Sequence, residues 1–133
     1  MTAQTVDLHV NPSDETIRLG PLAVRFLITG EHASGSVAVF ELTVPSTQRL
    51  AAAAHGPGQA LCIPRGAIHR FDNNGSQDVK ALCAITPAAL GPQYFREAAE
   101  VNNAAAGGPP DRAKMAEIMR RHGLTPAPPP PQA

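Results

Sequence analysis

The chain has no excess of either charge: eleven Lys and Arg stand against eleven Asp and Glu over 133 residues. Nucleic-acid binding draws much of its affinity from clustered basic side chains. The one adjacent basic pair, Arg120–Arg121, reads instead as charge at a helix end. No apolar run approaches the length of a membrane span, and no basic stretch followed by an apolar one marks a secretory leader. The expectation is a cytoplasmic protein with no nucleic-acid and no membrane partner. Cysteine is scarce as well, and two residues do not make the disulfide framework of a secreted scaffold. Cys62 and Cys83 each sit in an apolar run, so reduced thiols packed as small hydrophobes are the first reading and a disulfide between neighbouring strands the second. No Gly-x-Ser-x-Gly elbow occurs, neither cysteine has a histidine partner in sequence, and no glycine-rich phosphate loop is present. A nucleophilic hydrolase therefore lacks support. There is no internal repeat.

What the chain does have is a globular composition, 43% hydrophobic and 17% charged, at a length that suits one modest core. Strands are expected at residues 16–19 and 22–29, the second ending at Gly30, and above all at 36–44. There Ala38, Phe40, Leu42 and Val44 share one face, and Val37, Val39, Glu41 and Thr43 the other. Both faces are largely apolar, which predicts burial on two sides, as in a sandwich or at an oligomer interface. Pro45 stops the strand. The four alanines 51–54 suit a helical turn that His55-Gly-Pro-Gly58 ends at once. Residues 59–63 and 67–72 read as strands about the turn Pro64-Arg-Gly66, and Asn73-Asn-Gly75 as a hairpin turn. Residues 79–86 form a further strand. Beyond Pro87 the spacing becomes helical: helices are expected at 92–101 and 111–122, the second N-capped by Asp111 and presenting Met115, Ile118 and Met119 on one side. Residues 126–132 are proline-rich, a disordered end or, as the alternative, a polyproline ligand.

One motif carries chemistry. Gly58, five residues, Pro64-x-Gly66, two residues, His69, three residues and Asn73 match position for position the second conserved motif of the cupin superfamily. The chain resembles small single-domain bacterial cupins of the quercetin dioxygenase-like kind over residues 17–124. The flanks Glu41-Leu-Thr-Val-Pro45, Tyr94-Phe-Arg-Glu97 and Arg121-His-Gly-Leu124 are similar to that family too. The resemblance implies a mainly β fold, a jelly-roll β-barrel with C-terminal helices: barrel domain at 1–100, linker and helix at 101–125, proline-rich disordered tail at 126–133. It implies a metal ligand at His69, with Phe71 and Phe40 lining a pocket, and structural roles for Gly58, Pro64, Gly66 and Asn73.

The first cupin motif should supply two histidines and a glutamate. Only His55 stands in for it here: Arg49 occupies the place of its glycine, Pro57 that of its second histidine, and no glutamate follows. The chain passes directly from His55 into Gly58, without the hairpin that separates the motifs in the family. A first-row metal site needs three or four protein ligands, and His55 and His69 fall short of that. Two readings stay open: a relative of metal-dependent dioxygenase-like cupins (Fe, Mn, Ni or Zn) whose metal binding is weak or absent, or a non-catalytic cupin scaffold that takes a small molecule without metal. A homodimer is expected, because a jelly roll lacking a hairpin leaves strand edges and apolar faces for a second chain to cover.

Overall fold

The computed structural model describes residues 9–46, 58–69, 71 and 73–128. Four strands, β1 (Ile17–Leu19), β2 (Leu22–Ile28), β3 (Ala38–Val44) and β4 (Val79–Ile85), precede two helices, α1 (Pro92–Ala104) and α2 (Arg112–Arg121). The strands form one antiparallel sheet in the order β1-β2-β3-β4. Alternation fixes its two faces. Val24, Phe26, Ala38, Phe40, Leu42 and Val44 are buried on one side, and Ile17 joins them from β1. In β3 the residues between them are half-buried, so one face is packed and the other partly exposed, where the composition had predicted burial on both.

Helix α1 covers the packed face. It starts with Pro92 at its first position, where the missing N–H has no intrahelical partner to lose. Its buried Phe95 and Ala99 join the sheet's core. Phe26, Phe40 and Phe95 form a three-ring cluster with centroids 5.2, 5.7 and 5.3 Å apart, tilted or edge-on as ring quadrupoles prefer. The far end of α1 is tied to the β1–β2 hairpin, where Asn103 accepts from the Gly20 N–H (3.2 Å) and donates to the Arg18 carbonyl (3.1 Å). Gly20 sits at φ +56°, as the first central residue of a two-residue hairpin loop favours, and a Cβ there would lie 2.6 Å from the Asn102 amide. Helix α1 thereby carries the chain along the packed face as far as Ala104.

Two expectations change. The sheet is open, with β1 and β4 at its edges, so the described residues are a sheet with two helices and not a closed, mainly β barrel; strand and helix contribute comparable lengths. Residues 59–69 and 71 also carry no strand. An extended segment becomes a strand only by sharing a hydrogen-bond ladder, and no described strand lies beside this one. For the same reason Cys62 is exposed rather than packed, while Cys83 on β4 is half-buried; both are free thiols. Burial raises the Cys83 pKa, which keeps it in the inert thiol form.

Helix α2 packs on α1 rather than on the sheet, burying Ile118. Asp111 caps it, its carboxylate accepting from the N–H groups of Ala113 (3.0 Å) and Lys114 (3.1 Å). The four-alanine segment at 51–54 and the tail from residue 129 lie outside the described residues.

Candidate functional site

The segment from Gly58 to Asn73 is built around two backbone positions that favour glycine. Gly58 lies at φ +78° and Gly66 at φ +83°, in the left-handed region that a Cβ disfavours. A Cβ at either would meet no atom within 4 Å, so the constraint is conformational rather than steric. The Ala67 N–H donates to the Pro64 carbonyl (3.1 Å), closing a β-turn with Pro64 first and Gly66 third. Positive φ at the third residue of such a turn is the type II signature.

Asn73 anchors the other end. It is the buried polar residue of the described chain, 5% exposed. Its Nδ2 donates to the carbonyls of Val44 (2.9 Å) and Gln77 (2.7 Å), and its Oδ1 accepts from the Gly75 N–H (3.0 Å). One side chain thereby joins the end of β3 to the turn that leads into β4. Phe71 is half-buried and packs against the core cluster.

His69 lies between these two fixed points and is exposed. Its Nδ1 is 3.1 Å from the Ala67 carbonyl oxygen. A carbonyl only accepts, so Nδ1 carries the proton and the neutral ring is left with its lone pair on Nε2. The ring meets Phe71 edge-on, with centroids 5.7 Å apart. A donated Nδ1–H with a free Nε2 is the arrangement that orients a histidine for use as a ligand or base. His55 lies outside the described residues. Phe40, expected at a pocket wall, is 6% exposed and fills the core between Phe26 and Phe95.

Other candidate groups are engaged elsewhere. Glu41 projects from the half-buried face of β3. There Arg25 Nη1 and Lys80 Nζ each lie 3.7 Å from its Oε2. These residues, with Thr16, Ala23 and Thr43, line a hollow of about 100 Å³. His32 Nδ1 accepts from the Thr29 N–H (3.1 Å) in the β2–β3 loop. His122 is hydrogen-bonded to Glu97 across the two helices. Among the described residues no three His, Cys, Asp or Glu side chains come together as a metal-ligand set.

Sequence reasoning missed the Glu97–His122–Arg121 group, because its members are brought together only when α2 folds back on α1. It also missed a set of exposed apolar side chains: Leu61 and Ile68 on the motif segment, Val79 and Leu82 on β4. Compared with known protein families, curated proteins and solved structures, the chain matches none. No helix among the described residues is long and apolar enough to cross a membrane.

Proposed function

We propose that this chain is a cytoplasmic cupin-type scaffold, related to the metal-dependent dioxygenase-like cupins, in which the metal site is degenerate. The observation that supports this most is local. Residues matching the second cupin motif are each in a place where their identity has a physical reason: two glycines at positive φ, a proline opening the turn, an asparagine as a buried three-bond anchor, and His69 held through Nδ1 between them. The degenerate site follows from ligand number. The residues that would complete a cupin site are replaced in the sequence by Arg49 and Pro57, and no glutamate follows His55.

A chain of this kind with His55 and His69 alone is expected to bind Zn, Mn, Ni and Fe(II) weakly or not at all, and to show no dioxygenase-type turnover. Few coordinate bonds cannot offset the loss of the ion's hydration shell against a chelating buffer. The check is a titration of each ion into metal-stripped protein beside His69→Ala. Superimposable weak isotherms are expected. Tight binding abolished by the substitution would show the site to be intact.

The same reading makes the protein a homodimer. Leu82 and Val79 project exposed from β4, a seven-residue edge strand with no proline and one lysine. Such an edge is usually blunted or covered, and a second copy is the cover proposed here. Light scattering at micromolar concentration should return twice the chain mass. A stable monomer would count against it.

A further inference from the structure

The face of the sheet turned away from the aromatic cluster carries a group of charges that the cupin reading leaves unused. Alternation puts Ala23 and Arg25 of β2, Glu41 and Thr43 of β3, and Lys80 of β4 on that face. The register sets them in two neighbouring ranks. Arg25 stands opposite Glu41 in one, and Ala23, Thr43 and Lys80 lie side by side in the other. Ala23 and Thr43 are short and the charged side chains around them are long, so the surface dips here. The resulting hollow measures about 100 Å³, and Thr16, just before β1, joins its wall.

Three charged groups meet at this hollow without satisfying one another. Arg25 Nη1 and Lys80 Nζ approach the same oxygen, Glu41 Oε2, and each stops 3.7 Å away. That separation allows Coulomb attraction and is too long for a hydrogen bond. Among the described residues the Glu41 carboxylate accepts no hydrogen bond and the Lys80 ammonium donates none. A polar contact of this length leaves a place for a bridging group. The guanidinium is nevertheless anchored. Its Nε donates to the Ser13 carbonyl (2.9 Å), and the Ser13 N–H donates to the Phe26 carbonyl of β2 (2.9 Å).

The charges do not cancel, since two cations face one carboxylate. The excess attracts an anion, and the unpaired Glu41 oxygens favour a donor next to that anion. A carboxylic acid with a hydroxyl on the adjacent carbon supplies both from one small molecule. We propose that the hollow binds a small α-hydroxy carboxylate. The ligand's carboxylate accepts from Arg25 and Lys80, the first a planar fork and the second a point charge. Its hydroxyl donates to Glu41. The volume lies far below the roughly 300–1,000 Å³ of pockets for drug-sized ligands, so the ligand is an acid of a few carbons. An acid without the hydroxyl meets the same two cations but leaves Glu41 unpaired and repelling it. Arg25 and Lys80 therefore supply affinity, and Glu41 supplies selectivity.

The test is a titration of isotope-labelled full-length protein with sodium glycolate and, separately, sodium acetate, at an ionic strength held constant with sodium chloride. Glycolate should produce saturable amide shifts confined to Thr16, Ala23, Arg25, Glu41, Thr43, Lys80 and their neighbours. A Kd of about 1 mM is expected of so few ligand atoms at an open site. Acetate should bind about tenfold more weakly, the size of one hydrogen bond to a charged group. Arg25→Gln and Lys80→Gln should each weaken glycolate about fivefold. Lys80 is exposed, so its variant reads binding rather than folding. Glu41→Gln should tighten acetate and bring the two acids to within about twofold of each other. A wild type without saturable shifts, equal affinity for the two acids, binding unchanged in Arg25→Gln and Lys80→Gln, or a glycolate preference that survives Glu41→Gln would each overturn the proposal.

Discussion

Replacing Phe26 by alanine is expected to destabilise the protein by about 3–5 kcal/mol, the range for emptying a buried aromatic site. Phe26 is 2% exposed and lies in β2 opposite Phe40 of β3. Its ring touches both other members of the three-ring cluster, including Phe95, through which α1 attaches to the sheet. Truncation therefore removes more than transfer energy: it leaves Phe40 and Phe95 facing a void that strand and helix backbones cannot close. Total stability of a domain this size is about 5–15 kcal/mol, so the variant should be partly unfolded at physiological temperature. Urea unfolding gives the number directly. Glu117→Ala, at an exposed position of α2 away from the β4 surface, provides the contrast and should change stability by less than about 0.5 kcal/mol. A Phe26→Ala loss as small as that of Glu117→Ala would mean the aromatic cluster is not the core.

The second large effect is expected at Asn73. Alanine there removes three hydrogen bonds and strands the carbonyls of Val44 and Gln77 and the N–H of Gly75 in a site with little access for water. Leaving buried polar groups unsatisfied costs about 1–3 kcal/mol each, reduced where water can enter. A net loss of about 2–4 kcal/mol follows. Asn73→Asp is the sharper variant. It preserves shape but replaces the Nδ2 donor with a second acceptor, so both carbonyls would face a carboxylate oxygen. At neutral pH it should be at least as destabilising as alanine, and it should recover as the pH is lowered and the carboxyl gains a proton. Thermal unfolding of the pair across pH reads this out. An Asn73→Asp variant as stable as wild type at neutral pH would show that the two carbonyl contacts carry no weight.

The elements with strong periodicity were legible from residues alone. Strand β3 was placed to within two residues, because Ala38, Phe40, Leu42 and Val44 alternate with half-buried neighbours and Pro45 ends the pattern. Helix α2 was placed to within one residue at each end, by the Asp111 cap and by Gly123. Helix α1 ran three residues longer than expected, to Ala104, because Asn102 and Asn103 read as linker residues while Asn103 in fact bonds to the β1–β2 hairpin.

What was not legible depended on partners distant in sequence. Residues 59–63 have a strand-like composition, but composition does not supply a neighbouring strand, and Leu61 and Cys62 are left at the surface. The apolar alternate positions of β3 suggested two buried faces; the charged row Arg25–Glu41–Lys80 across three strands shows how one face remains half-open. Of the site, the spacing gave the turn and its histidine. It could not give the Ala67 carbonyl that fixes the tautomer of His69, nor the pairing of Glu97 with a histidine 25 positions away.

The central claim is that a second-motif turn persists here without the ligands that would make it a metal centre. Metal content of the full-length protein, purified without chelator and quantified by elemental mass spectrometry, addresses it most directly. Fe, Mn, Ni and Zn are each expected well below one ion per chain, with no difference between wild type and His69→Ala. A near-stoichiometric transition metal in the wild type that disappears in His69→Ala would contradict it.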